Sequence, residues 1–387
     1  MIRILCRITK LGWFEDDSYK KLVLDVQKFL QHTIDAAIIG LRILNELVIE
    51  MNQTLPGQTP TAARKTAVSF KDECLFHIFQ CSLSMLRQIQ ENKVNIQNEQ
   101  QAHDIRKFSL EAAKSVLMFD FIGTNPDESC GEVGTVQVPL SWRRILQDPQ
   151  TLRLLFEFYE KNQEPHSAKC LELLVYLASV RRSVFSNETE RKNFLNRLLE
   201  GVRDILRFSR GLNGPDNFHQ FCRLLGKVKM NYQLSELVSS DGYMNFIELL
   251  SNFTKKSFEM YKYSNRSTHY LLQLWDRIVS ATPYVKSKDS SQGHSVEKHL
   301  PGIMDKYVVG RLLHIRDAHQ SGMFSYIVWK LFKIDKFHQT CTRTFTQVHW
   351  TIRWNIQTCA RHNLLIFRNS LDISTKMCVI SLRPDQT

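Results

Sequence analysis

"HTIDAAIIGLRILNELVIEM", residues 32–51, places Ile34, Ile38, Leu41, Leu44 and Val48 three or four residues apart. Steps of that size return to the same side of a 3.6-residue helix, so the stretch predicts a helix with one continuous apolar face. The pattern recurs down the chain. It is found in "LFHIFQCSLSMLRQI", "SLEAAKSVLMF", "TLRLLFEFY", "CLELLVYLASV", "NFLNRLLEGVRDILRF", "NFHQFCRLLGKVKM", "GYMNFIELLSNFTKKSF", "THYLLQLWDRIV" and "IMDKYVVGRLLHI". Strand-like alternation is confined to "GTVQVP", residues 134–139, where Pro139 permits only an edge strand or an extended loop.

Helix boundary signals agree with this reading. Asp148-Pro149 offers a cap followed by proline at the first helical position. "SNETE" at 186–190 offers a Ser or Asn cap with acids in the first turn, and "NGPDNF" at 213–218 and "SSDGY" at 239–243 are further breaks. Longer polar connectors are expected at 52–66, 91–101 and 286–299. Helices with short connections and no returning strands predict an all-α fold, an α-solenoid of HEAT-like helix pairs recurring near a ~40–47 residue period. Each pair covers the apolar face of its neighbour, so an open end leaves such a face uncovered.

The chain divides by composition. Residues 1–318 carry the helical pattern. Residues 319–387 mix helical and strand periods, are rich in Trp, Phe, Ile, Cys and His, and hold nine Lys or Arg against three Asp or Glu. That tail contributes half of the net charge of +12, while the helical part shows isolated basic pairs rather than a basic stripe. The charge is therefore a weak argument for a nucleic-acid partner. No run of about 18 apolar residues suggests a membrane span. The first residues, "MIRILCRITKLGWF", read as one face of an ordinary helix. The nine cysteines form no C-x-x-C and several lie in apolar stretches, which suggests buried, reduced thiols.

Signals for catalysis or for a cofactor are weak. The chain has no G-x-S-x-G, H-E-x-x-H or Walker loop. The acids of "TNPDESCGE", 124–132, miss the calcium-loop spacing and read as a solvated loop. His77, His219 and His269 lie on helical stretches beside aromatics and read as hydrogen-bonded helix histidines. Cys341, His349, Cys359 and His362 are zinc-type side chains, but their intervals match no compact finger. No enzyme activity, cofactor or metal is expected. The adjacent arginines of "ASVRRSVF", Arg181 and Arg182, are the candidate partner surface. They either complement the carbonyl end of the preceding helix and stay solvated, or face an acidic partner. A phosphate site has less support, because no glycine-rich loop accompanies them.

Several stretches resemble a known family in its own order. They include "CRITKLGWFE" (6–15), "AIIG" (37–40), "FDFIGTNPDES" (119–129), "TVQVPLSWR" (135–143), "ASVRRSVF" (178–185), "FHQFCRLLGKVKMNYQLSELV" (218–238), "HYLLQLWDRIV" (269–279) and "PYVK" (283–286). Over roughly residues 5–317 the chain resembles the nuclear export receptors of the exportin-7 or Ran-binding protein 16/17 type, in the importin-β superfamily. The resemblance implies a HEAT-repeat superhelix that binds Ran in its GTP form together with protein cargo. It also implies passage through nuclear pores by contact with pore proteins, shuttling between nucleus and cytoplasm, and no catalytic residue in the receptor. Family members have repeats before "CRITKLGW", which form the main Ran contact, and further repeats after Asp317. By this comparison the chain is expected to be an internal segment. The alternative reading is a passive α-solenoid scaffold without Ran control.

Overall fold

A computed structural model describes residues 1–121, 134–259, 267–285 and 296–320. Their fold is an all-α solenoid. The first three helices are α1 (Ile2–Gly12), α2 (Leu22–Phe29) and α3 (Ile34–Asn52). α4 (Pro60–Phe70) runs through one π-helical turn, Lys71–Leu75, into α5 (Phe76–Gln90), and α6 (Glu99–Leu117) follows. Then come α7 (Arg143–Gln147), α8 (Pro149–Lys161), α9 (His166–Ala178), α10 (Glu188–Phe208) and α11 (Pro215–Asn231). α12 (Leu234–Val238), α13 (Tyr243–Glu259), α14 (Thr268–Ala281) and α15 (Leu300–Gln320) complete the described chain.

The helices form two rows. One row runs α1, α3, α6, α9, α11, α14, each packed on the next. The other holds α2, α5, α8, α10, α13 and α15, of which α2, α5, α8 and α13 pack against α3, α6, α9 and α14 of the first row. The two faces of each helix in the first row therefore differ, one turned to the core and the other away from it. In α3, Ile34, Ile38, Leu41, Leu44 and Val48 are all buried, which is the stripe that the spacing predicts, and Leu47 is buried beside them. Gly40 has a packing role. A Cβ there would lie 3.1 Å from Leu30 Cδ2 and 3.3 Å from Val26 Cγ1, so its absence lets α2 approach closely. That close approach offsets the ~1 kcal/mol by which glycine disfavours a helix interior.

Several helix starts are set by side-chain caps. Asp148 accepts from the Gln150 amide at 2.9 Å with Pro149 at the first position, and Asn187 accepts from the Glu190 amide at 2.9 Å. Thr33, Thr59 and Asn98 cap α3, α4 and α6 in the same way. Each satisfies an amide that has no partner within its helix.

Two expectations need correction. The polar connector at 52–66 is helical from Pro60, because Thr59 caps it and Ala63, Thr66 and Phe70 form a narrow buried face. The stretch is polar because its remaining sides face water. The ~40–47 residue period is not kept evenly, since the step from α1 at Ile2 to α3 at Ile34 is shorter than that and the later steps are longer. Successive helices of the close-packed row begin at Ile34, Glu99, His166, Pro215 and Thr268, because long connectors and the extra helices α4, α7 and α12 lie between them.

"GTVQVP" forms no strand. Val136 makes one isolated parallel bridge with Val180, its amide donating to Ser179 O at 2.9 Å and its carbonyl accepting from the Arg181 amide at 3.1 Å. At the start of the chain, Ile4, Leu5, Ile8 and Leu11 form an exposed apolar stripe along α1. On the opposite side of that helix, Cys6 and Lys10 are buried. Lys10 Nζ donates to Glu50 O at 2.7 Å and to Gln53 O, closing the carbonyl end of α3. Burial pulls its pKa down to about 8, a fall that Glu50 opposes.

Candidate functional site

The stretch around Arg181 and Arg182 is a junction between units. α9 ends at Ala178, and the chain extends through Val180 to bridge with Val136. The carbonyl end of α9 is closed by Asn231 from the end of α11, whose Nδ2 donates to Ala178 O and Val180 O at 2.8 Å each. Asn231 O in turn accepts from Arg191 Nη2 at 2.6 Å.

The two arginines have different surroundings. Arg181 is half-buried and donates from Nη1 to Gln137 Oε1 at 2.9 Å. Arg182 is exposed and ion-paired with Glu188, which raises its pKa through that hydrogen bond. Neither guanidinium hydrogen-bonds the carbonyl end of α9. The extended step at Val180 carries both residues past that end, and an uncharged amide takes the position.

The broader surface is the outward face of the α3–α6–α9–α11–α14 row. These helices pack on one another without a break. The face carries a ladder of polar pairs across helix joints. Gln101 donates to Asp35 at 2.8 Å and Ser115 to Asn45 at 2.6 Å between α6 and α3. Lys114 meets Glu172 at 3.0 Å, and Lys169 pairs with Glu111, between α6 and α9. Arg42 and Lys107 each lie 5.2 Å from the Phe108 ring centre, a cation on either helix sharing one aromatic ring. These ion pairs are half-buried and still reach solvent, so each contributes on the order of 1 kcal/mol. The ladder therefore sets helix register and the pattern of charge more than it sets stability.

A histidine pair lies at the same joint. His166, buried in the first turn of α9, has Nε2 3.2 Å from His103 Nδ1 of α6. Burial pushes His166 down to about 4, and His103, Arg106, Lys107 and Lys169 press in the same direction. The folded state thus resists a proton that the unfolded chain accepts near pH 6.5. The stability this confers is complete above pH 6.5 and falls as pH drops toward about 4. A loss on the order of 2 kcal/mol is expected. Urea midpoints measured from pH 7 to 4 should show it, and His166→Gln should flatten that part of the curve.

The remaining candidates form no metal site among the described residues. Burial pushes the Cys6 and Cys74 thiols up to about 12 and also raises those of Cys81, Cys170 and Cys222, which disfavours the thiolate in each. Among the described residues no group of three metal-type side chains converges, and no helix is long and apolar enough to cross a membrane. His219 lies 3.1 Å from Ser267 Oγ, while His77 and His269 lie against the rings of Phe76 and Tyr270. His219 and His269 meet at the Tyr270 ring, whose centre lies 5.6 and 3.9 Å from theirs, while His77 sits on α5. The acidic stretch 124–132 and the set Cys341, His349, Cys359 and His362 lie outside the described residues.

Helix pairs stacked in this way define an α-solenoid, with its polar pairs at the α3–α6 and α6–α9 joints. The chain is 39% identical over 327 residues to exportin-7-B of Xenopus laevis, a match covering 84% of this chain and 30% of that protein. It is 40% identical over 324 residues to Ran-binding protein 16 of Drosophila melanogaster, covering 81% and 29%. It is 39% identical over 316 residues to Ran-binding protein 17 of Homo sapiens, again covering 81% and 29%. The chain is of the exportin-7 and Ran-binding protein 16/17 type. It spans about 30% of the length of the curated relatives it matches. No protein-family model matches it.

Proposed function

We propose that this chain provides part of the binding surface of a nuclear export receptor. In this reading it engages Ran in its GTP form and protein cargo, meets pore proteins, and shuttles between nucleus and cytoplasm without binding nucleic acid or inserting into a membrane. The observation that carries the proposal is identity of 39–40% across more than four fifths of the chain to proteins named for export and for Ran binding. The physical mechanism is linkage. If Ran-GTP and cargo favour the same state of the superhelix, each raises affinity for the other, and loss of GTP releases both. We assign this role to residues 1–318 and treat 319–387 as a separate unit. Within the receptor surface we place Arg182, the exposed member of the arginine pair, and Arg181 as the residue that fixes the loop beneath it.

A pull-down against Ran loaded with GTP or with GDP tests the reading. Retention of the GTP form alone is the expected result. Equal or absent retention, with a full-length relative binding in parallel, would reduce the chain to a passive scaffold. The satisfied charge ladder between α6 and α9 is the feature that suits that second reading.

A further inference from the structure

On the other row, away from the polar ladder, a cavity of about 690 Å³ opens between α5, α7 and the start of α8. Its lining combines apolar Phe76, Leu83 and Ile145 and several short polar side chains with Arg87 and Arg144. Both arginines are exposed. Neither guanidinium has a hydrogen bond or ion pair among the described residues. Glu91, the acid whose pKa Arg87 helps to lower, is already paired with Lys93 at 2.6 Å. Asp148 also lines the cavity, but its carboxylate is engaged as the cap of α8. The neighbouring Arg143 makes the contrast clear, since its Nε is tied to Val184 O at 2.8 Å. One arginine of that pair holds the fold together and the other is left for a partner.

The volume lies within the ~300–1,000 Å³ of ordinary ligand sites. Apolar side chains and two unpaired guanidinium groups lining one groove match one chemistry well, a large apolar side chain flanked by carboxylates. We propose that this groove docks a short acidic segment of a partner protein, with carboxylates on Arg87 and Arg144 and an apolar side chain over Phe76, Leu83 and Ile145. The proposal goes beyond the receptor reading. It uses the opposite row of helices and does not require Ran.

The test is fluorescence anisotropy of the full 387-residue chain with a labelled peptide that has a central Leu-Phe flanked by glutamates. Arg87→Glu with Arg144→Glu should weaken binding at least about tenfold, and so should a peptide with glutamine in place of each glutamate. Arg87→Lys with Arg144→Lys should recover part of the affinity, since the charge remains and only the two-pronged geometry is lost. Three results would each overturn the proposal. One is no binding by the unmodified chain. Another is affinity unchanged within about twofold by the charge reversal. The third is binding that survives the reversal but is lost in Ile4→Glu/Ile8→Glu, which would move the contact to the stripe on α1. Because none of these readouts involves Ran, failure of this test leaves the pull-down result untouched.

Discussion

Trp142→Ala should cost about 3–5 kcal/mol, the range for deleting a large buried aromatic side chain. Trp142 is 1% exposed. Its ring is stacked on Phe79 at 5.4 Å, tilted against Phe76 at 5.4 Å, and meets Phe121 edge-on at 5.7 Å. Phe121 also touches Phe119, which touches Phe70, which meets Trp13 at 5.6 Å. The substitution therefore opens a void in a chain of rings that joins α1, α4, α5 and the turn ahead of α7. Each aromatic pair is worth about 0.5–1.5 kcal/mol beyond the area it buries, so the loss includes three ring contacts as well as a cavity. The expected readout is a lower urea midpoint with an unchanged slope. Trp142→Phe keeps part of the volume and should fall between the two. A loss for the alanine variant below about 1 kcal/mol would mean that the neighbouring rings collapse into the gap and that no lasting void forms.

Most of the fold was legible because burial in a helix pair leaves a periodic mark. The apolar stripe of 32–51 is the buried face of α3, and Asp148-Pro149 starts α8 where the cap rule places it. What escaped is what carries no period. α4 is mostly polar on the surface, and α7 and α12 are too short to show a stripe.

The candidate site was legible in a similar way. The adjacent arginines are visible in sequence, but the groups that decide their roles are not. Gln137 is 44 residues from Arg181, and Asn231 is 53 residues from the carbonyl that it closes. Half of the acidic-segment groove could have been read in advance, since Phe76, Leu83 and Arg87 recur at helical steps on one side of α5. Its other half, Arg144 and Ile145, lies across a long connector that only the folded chain brings near.

The second large effect is expected at Arg191, and it tests whether the junction behind Arg181 and Arg182 is structural. Arg191 is 3% exposed in the first turn of α10. Its Nε donates to Glu236 Oε1 at 2.6 Å, its Nη2 donates to Asn231 O at 2.6 Å, and its guanidinium lies 4.2 Å from the Tyr232 ring centre. Breaking a fully buried pair from one side costs about 3–5 kcal/mol, because the abandoned charge stays buried. Glu236 retains 19% exposure and a 2.8 Å hydrogen bond from the Gln233 amide, so for Arg191→Met about 2–4 kcal/mol is the expected loss. Much of that is the penalty of a stranded carboxylate. Arg191→Met combined with Glu236→Gln should therefore be more stable than the single variant by at least about 1 kcal/mol, since the amide needs no counter-charge and can still accept the capping hydrogen bond. Equal stability of the single and double variants would show that packing against Tyr232, rather than charge, is what Arg191 supplies. Arg191→Lys separates the remaining contribution, because an ammonium can meet Glu236 or Asn231 O but not both in the same plane. If Asn231 depends on that fork, hydrogen exchange should quicken first at the Val180–Val184 step, where its amide holds the carbonyl end of α9 and Arg143 holds Val184.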